Sequence, residues 1–336
     1  MMRNLTNKQR LTLITPVLIM VILVLAYFAM TIGYVPISLT QLIESLLGNG
    51  EYQEQVVVWM FRLPKTAVAL IAGICLSTSG AVMQGVTRNP IATPSLLGIS
   101  AGSGLGTLLV VFLYDQGFGM VMPRPLAAVL GGLITFAIVY GLSLRYKLSP
   151  VKLILNGIAI NSCIGAISLV ISLKLSADGY TMYSLIMAGS LSYASWDMIQ
   201  IAYIGAIPLF AYVMYKACYL NILNLDDEMA IGLGLNLNKE RKKLLIVTVI
   251  LASISGYVAG GVGSIGMISP HIAKRIVGSN FKLFLPLAVL IGIVIVLLAD
   301  VVVRILALNG LDFQIGTLTS LIGAPYLLYL LFTEDR

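Results

Sequence analysis

The sequence is short of charge, of histidine and of cysteine. Only 10% of its 336 residues are charged, against roughly 25% in soluble domains, which excludes a soluble globular protein. His271 is the only histidine, and one histidine supplies neither a multi-histidine metal site nor a metalloprotease pair. Cys75, Cys163 and Cys218 all fall within apolar stretches. We expect them to be small buried side chains rather than disulfide or metal partners.

Motifs for nucleotide binding and catalysis are also missing. No G-x-x-x-x-G-K-[ST] occurs, so this chain is not expected to bind ATP itself. The apolar stretches contain no paired catalytic groups, which argues against an intramembrane enzyme. The only acid expected to be buried in them is Asp300, and Arg304 follows it four residues later as a partner. A secondary transporter, which needs a titratable coupling group within the membrane, is therefore a distant alternative.

Long apolar stretches dominate the sequence instead. A membrane-spanning helix needs about 20 mostly apolar residues, and ten stretches are candidates. These predicted spans are 11–33, 59–84, 95–114, 124–144, 151–173, 196–216, 242–262, 264–277, 284–308 and 314–332. The first is longer than a signal-peptide core and no cleavage site follows it, so we expect it to be retained. The sequence predicts an all-α polytopic membrane protein forming a single transmembrane domain over residues 1–336.

Positive charge sets the predicted orientation. The net charge is +7, but the basic residues lie in short breaks between spans, which favours topology control over nucleic-acid binding. An even number of spans places both termini on one side. Cytoplasmic termini leave only five of the 21 Lys and Arg residues outside, namely Arg62, Lys65, Arg124, Lys174 and Arg304. We expect a multi-pass protein of the plasma or inner membrane with cytoplasmic termini.

A weak inverted repeat is also predicted. Residues 59–173 and 242–332 each contain four spans and one polar, Pro-containing break, Asn89-Pro90 in the first and Ser269-Pro270-His271 in the second. The two groups start from opposite sides of the membrane, as inverted repeats with broken helices do in transporters. His271 is expected to bond carbonyls at its break.

Five segments together carry a resemblance to one family. They are the Gly-, Ser- and Ala-rich segment 62–106, the polar segment 220–243, and segments 263–275, 298–304 and 316–326. Their patterns resemble those of the membrane permease subunits of bacterial ABC importers for iron–siderophore complexes and vitamin B12. The resemblance covers about residues 12–332 and implies a ten-helix permease.

The resemblance gives segment 220–240 a role as cytoplasmic coupling helices that sit in a groove of a separate ATPase subunit. The residues that match the family pattern or flank it are Asp226, Asp227, Glu228, Ala230, Leu233 and Gly234. The residues alone also fit a solvated loop with capping acids.

Three outside charges match basic positions that, in the family, face glutamates of an extracellular substrate-binding protein. They are Arg62, Lys65 and Arg304, and we expect them to lie exposed at the outer rim. A simpler interpretation remains open for Arg304, because Asp300 and Arg304 are spaced to form a self-neutralising pair on one helix face.

The resemblance also implies a gate and a pathway. The cytoplasmic gate is expected at Asn89 and Pro90, with Ser149 and Pro150 ahead of the fifth span. Pathway candidates are the small or polar stripes Gly157, Asn161, Ser168 and Ser172 in the fifth span, and Gly316, Ser320 and Gly323 in the last. Such stripes equally mark helix contacts.

The sequence thus predicts the transmembrane half of an importer of ferric siderophores, hydroxamates being one candidate class. The expected partners are a second permease subunit, an ATPase dimer that binds ATP and Mg, a substrate-binding protein, the ferric siderophore and membrane lipid, but no nucleic acid. We expect no metal site and no cofactor in this chain. An importer of vitamin B12, haem or another metal chelate is the alternative.

Overall fold

The computed structural model describes residues 6–119, 121–144 and 150–333, and their regular structure is helical throughout. The α-helices are α1 (Asn7–Thr31), α2 (Leu39–Leu46), α3 (Tyr52–Val56), α4 (Leu63–Thr87), α5 (Ile99–Asp115), α6 (Arg124–Leu144), α7 (Pro150–Ser172), α8 (Ala177–Met187), α9 (Trp196–Tyr215), α10 (Ala217–Leu223), α11 (Asp227–Gly232), α12 (Leu237–Ala259), α13 (Ile265–Val277), α14 (Phe281–Leu308) and α15 (Ile315–Thr333). A π-helical stretch, Val57–Arg62, joins α3 to α4, and a 3₁₀ turn, Pro94–Leu97, precedes α5. The all-α prediction is confirmed.

Each of the ten predicted spans coincides with a helix. The second is longer than predicted, because α3, the π-helical stretch and α4 form one continuous helix of 36 residues, Tyr52–Thr87. Among the described residues, seven helices are long and apolar enough to cross a membrane. They are α1, α3 to α4, α6, α7, α9, α12 and α14, while α5, α13 and α15 are shorter. The sequence missed α2, α8 and α10, which lie between the spans.

Helix α4 is the centre of the bundle and is buried along most of its length. Small residues let its neighbours approach closely, as expected where lipid gives helices no hydrophobic drive to associate. A Cβ atom on Gly73 would lie 2.7 Å from the Cα of Ile293 in α14. On the side of α4 that faces α13, Ser269 Oγ donates to Ser77 Oγ at 2.8 Å. The small residues of segment 62–106 therefore allow close contact between helices.

The second predicted break is wrong, because Ser269-Pro270-His271 lies inside α13 rather than between helices. Proline cannot donate to the carbonyl four residues earlier, which here belongs to Gly266. That carbonyl faces Gly80 of α4 so closely that a Cβ atom there would lie 1.8 Å from the oxygen. A neighbouring helix covers the freed carbonyl, which is how membrane helices tolerate proline.

Helices α1 and α7 bury little of their apolar surface, since only 11% of the most apolar stretch of each is buried. Helix α15 likewise exposes Leu321, Leu328 and Phe332. Such faces need a cover of lipid or of another membrane-spanning chain. The exposed apolar faces of α1, α7 and α15 therefore mark the outer sides of the helix bundle.

Contacts between helix ends define the two ends of the bundle. At the near end, where α1 begins, Arg10 Nη1 donates to the carbonyl of Ile276 in α13 at 3.3 Å. At the far end, where α1 ends, Arg62 donates to the carbonyl of Met30. Trp196 Nε1 donates there to the carbonyl of Trp59 at 2.8 Å. Candidate sites lie at both ends.

Candidate functional site

Helix α11 stands outside the spans at the near end and is defined by its termini. Asp226 occupies the N-cap, and Asp227 and Glu228 lie in the first turn, where negative charge favours the helix dipole. The helix ends when Gly234 adopts a left-handed φ of +81°. The Gly234 N–H donates to the carbonyl of Ile231 at 2.8 Å, and the Leu235 N–H to that of Ala230 at 3.1 Å. This Schellman motif explains the glycine of the predicted pattern.

The expected role of Ala230 at the ATPase surface is wrong, because its side chain is fully buried. It anchors α11 against the rest of the protein. The exposed apolar side chains around it are Leu225, Met229, Ile231 and Leu233. We name these four the α11 surface. Leu233, a predicted coupling residue, belongs to it, whereas Met229 and Ile231 went unnoticed because six residues are too few to show a helical period.

Asp227 ties α11 to two spanning helices. Its carboxylate accepts from Arg88 Nη2 at 2.5 Å and from Arg241 Nη2 at 2.8 Å. The hydrogen bond from Arg241, and less strongly that from Arg88, lowers the pKa of the Asp227 carboxyl against the opposing effect of burial. Asp227 is therefore the ionised centre of a three-residue bridge, which we name the Arg88–Asp227–Arg241 bridge.

Arg88 also shapes the polar break after α4. It ends α4 with a left-handed φ of +53°, a strained conformation for a residue with a side chain. Its Nε donates to the carbonyl of Leu223 at the end of α10 at 2.9 Å. The sequence did not single out this residue, because its partners are more than 130 positions away.

The predicted gate residues lie on this break in part. Asn89 Oδ1 accepts from the Ile91 N–H at 3.0 Å, an Asx turn that starts the chain reversal around Pro90. Pro150 is the first residue of α7, and Ser149 lies outside the described residues. The break is thus joined through Arg88 to α10 and α11.

A cavity of about 400 Å³ opens at the far end. Its lining includes the three predicted docking cations, Arg62, Lys65 and Arg304, together with Asp300 and Asp312. The structure therefore brings together residues from the second and ninth spans, as their shared side of the membrane predicted.

The expectation that Arg62 lies exposed at the rim is wrong, because only 4% of the residue is accessible. Its guanidinium donates to the carbonyls of Met30 and Val35, where α1 ends and the chain turns towards α2. It closes the end of α1, whose last carbonyls lack helical donors.

Arg304 and Asp300 form the expected i, i+4 pair, with Arg304 Nε 2.8 Å from the carboxylate of Asp300. Arg304 Nη2 is nonetheless buried without an acceptor in the described part of the chain. Lys65 is half-buried beside them. The pair is neutral in net charge, so the excess positive charge here belongs to Lys65, while Arg304 Nη2 keeps an unused donor.

The predicted pathway stripe of α7 divides into buried and open positions. Gly157 packs against the 3₁₀ turn, where a Cβ atom would lie 2.2 Å from the carbonyl oxygen of Leu96. Ser168 and Ser172 are also buried. Asn161 alone of the four candidates is exposed. Most of this stripe therefore makes helix contacts.

The α15 stripe divides in the same way. A Cβ atom on Gly316 would lie 2.3 Å from the carbonyl oxygen of Ala188, and one on Gly323 would lie 2.3 Å from the Cβ of Ser264. Both glycines serve packing within the chain, whereas Ser320 is exposed.

Two of the cysteines depart from expectation, and the single histidine joins two helices. His271 Nδ1 is 2.6 Å from the hydroxyl of Tyr326, which links α13 to α15. Cys75 is buried as expected, but Cys163 and Cys218 are exposed, and all three are free thiols.

Comparison with known proteins identifies the family of this chain. Residues 19–333 match the FecCD transport family. The chain is 32% identical over 340 residues to the iron(3+)-hydroxamate import system permease protein of Bacillus subtilis, covering 99% of this chain and 100% of that protein. It is 34% identical to the Fe(3+)-citrate import system permease protein of the same organism, covering 100% and 99%.

A solved structure of a metal-chelate type ABC transporter, in an inward-facing conformation, has the same fold. The TM-score is 0.81 at 26% identity, covering 94% of this chain and 97% of that one. The match spans the helices that carry both candidate sites. The chain belongs to the FecCD transport family and is a multi-pass membrane permease subunit of an ABC importer, a transport subunit rather than an enzyme.

Proposed function

We propose that this chain carries ferric siderophores inward, with its near end and both termini in the cytoplasm. Basic residues concentrate in the loops assigned to that side, which supports the orientation. The two relatives above are named for iron(3+)-hydroxamate and Fe(3+)-citrate import, which supports a ferric chelate as cargo. Vitamin B12, haem and other metal chelates remain the alternative cargo.

The observation that carries the proposal is the α11 surface together with the bridge beneath it. Four apolar side chains lie exposed on and beside a short helix outside the spans, and such a patch is typical of a docking site. We propose that a groove of a separate ATPase dimer covers it. ATP and Mg would be bound there and not by this chain, whose sequence has no phosphate-binding loop.

This docking is tested by co-purification. Met229→Asp should abolish capture of the ATPase while the permease stays in the membrane, because a charge would be buried without a partner. Asp178→Asn, on exposed α8 away from the near end, is the control and should capture normally. Normal capture by Met229→Asp would contradict the proposal.

At the far end, we propose that the cavity receives a carboxylate of a substrate-binding protein. Lys65 supplies the positive charge, Arg304 is paired with Asp300, and Arg62 holds the end of α1 in place. Charged pairs of this kind steer association and weaken in salt. Lys65→Gln should reduce capture of the binding protein at low salt, whereas Lys174→Gln, outside the cavity, should not; equal effects would contradict the assignment.

We propose further that the exposed faces of α7 and α15 meet a second permease subunit, with the pathway between the two chains. Asn161 and Ser320 are the predicted pathway residues that remain exposed there. Cysteines replacing them should crosslink between subunits, whereas a cysteine replacing Met20 on α1 should not. Crosslinking from α1 alone would place the interface elsewhere.

A further inference from the structure

A second cavity, of about 320 Å³, lies at the near end beside the break after α4. It is enclosed by the end of α4, the end of α13 and the start of α14. Its lining includes Gln84, Arg88, Lys274, Ser279, Phe281 and Phe284. The α11 surface does not line it, so the proposed ATPase contact does not account for this cavity.

The charge around this cavity is positive and incompletely neutralised. Arg88 is paired with Asp227, but Lys274 is exposed and makes no ion pair with the described residues. The sequence contains no acid between Glu240 and Asp300, so α13 and the start of α14 bring only basic residues to this end. A basic pocket between spanning helices is typical of an anionic headgroup site.

The lining of the cavity adds one further feature, which is apolar. The start of α14 supplies no free donor, because the N–H groups of Phe281 and Lys282 already donate to Asn221 Oδ1 and Asn280 Oδ1. Phe281 and Phe284 form an apolar floor with ring centroids 4.4 Å apart. Cationic walls above an apolar floor, at the ends of membrane-spanning helices, fit a group that is charged at one end and apolar at the other.

We propose that this cavity binds the phosphate group of an anionic phospholipid, with Lys274 as its main charged contact. The first carbons of the lipid lie over Phe281 and Phe284. The inference takes from the proposed function only the leaflet, which is the cytoplasmic one. Its binding test needs neither ATP nor cargo. The lipid proposal can therefore fail while the transport proposal stands, and the transport proposal can fail while the lipid proposal stands.

The test is native mass spectrometry of the purified full chain with phosphatidylglycerol or with phosphatidylcholine of the same acyl chains. Wild type should retain phosphatidylglycerol preferentially. Removing one lysine near a headgroup should lower retention about fivefold, so Lys274→Gln should do so and Lys274→Glu more. Lys282→Gln, a basic residue at the same end but outside the cavity lining, is the matched control and should change little.

Three results would overturn the proposal. Equal losses from the Lys274 and Lys282 variants would indicate diffuse attraction rather than a site. Displacement of the lipid by inorganic phosphate at equal concentration would indicate a site for free phosphate. Unchanged retention in Lys274→Glu would show that the cavity holds no headgroup. Lys274 is exposed, so its variants should fold normally. A fluorescence melting curve that matches wild type checks this for each variant.

Discussion

The Arg88–Asp227–Arg241 bridge should transmit ATPase movements to the break after α4, and Asp227→Asn tests it. Asparagine keeps the shape but removes the charge that holds both arginines, at 2.5 and 2.8 Å. Half of the Asp227 side chain is exposed, so each pair contributes about 0.2–1 kcal/mol after screening. A loss of about 1 kcal/mol of coupling between two sites corresponds to about fivefold.

The assay is cargo transported per ATP hydrolysed, measured in proteoliposomes that contain the whole transporter. Asp227→Asn should lower this ratio about fivefold with ATPase capture retained, because the α11 surface is untouched. Asp178→Asn makes the same chemical change on α8 and should leave the ratio unchanged. A wild-type ratio in Asp227→Asn, at equal membrane levels, would refute the reasoning.

Three further outcomes are expected. Gly80→Ala should lower the melting temperature, because its Cβ would strike the carbonyl of Gly266 and overpacking typically costs about 1–3 kcal/mol. The control Gly141→Ala, with open space around it, should leave the melting temperature unchanged. Arg62→Gln should raise amide exchange at the end of α1 by leaving carbonyls unpaired, which unchanged exchange would contradict. Because the pKa of Asp227 is lowered in the folded protein, its stabilisation is present above the unfolded pKa of about 3.9 and fades below it. The protection factors of the α11 amides, which are corrected for the intrinsic pH dependence of exchange, should therefore fall only under acid conditions, and a fall near neutrality would disprove this.

The spans were predictable because burial in lipid needs long apolar stretches, and ten such stretches mark ten helices. The end of α11 was also visible, because Gly234 supplies the left-handed conformation that a Schellman motif requires. These features are local. Each depends on the composition of a few consecutive residues.

What the sequence could not provide depends on contacts distant in the chain. Arg88 meets its partners across more than 130 residues, and Arg62 is buried by the end of a different helix. The small-residue stripes were ambiguous for a physical reason. A glycine that faces a pathway and one that admits a neighbouring backbone look alike in sequence, and only the close approach of the Ala188 carbonyl to Gly316 distinguishes them.

The central claim is tested most directly by uptake of a radio-iron-loaded hydroxamate siderophore into proteoliposomes. These would contain this chain with its ATPase, its second permease subunit and its binding protein. The account predicts uptake that requires ATP and the binding protein and is lost in Met229→Asp. Uptake without ATP, driven by an ion gradient across the membrane, would contradict it.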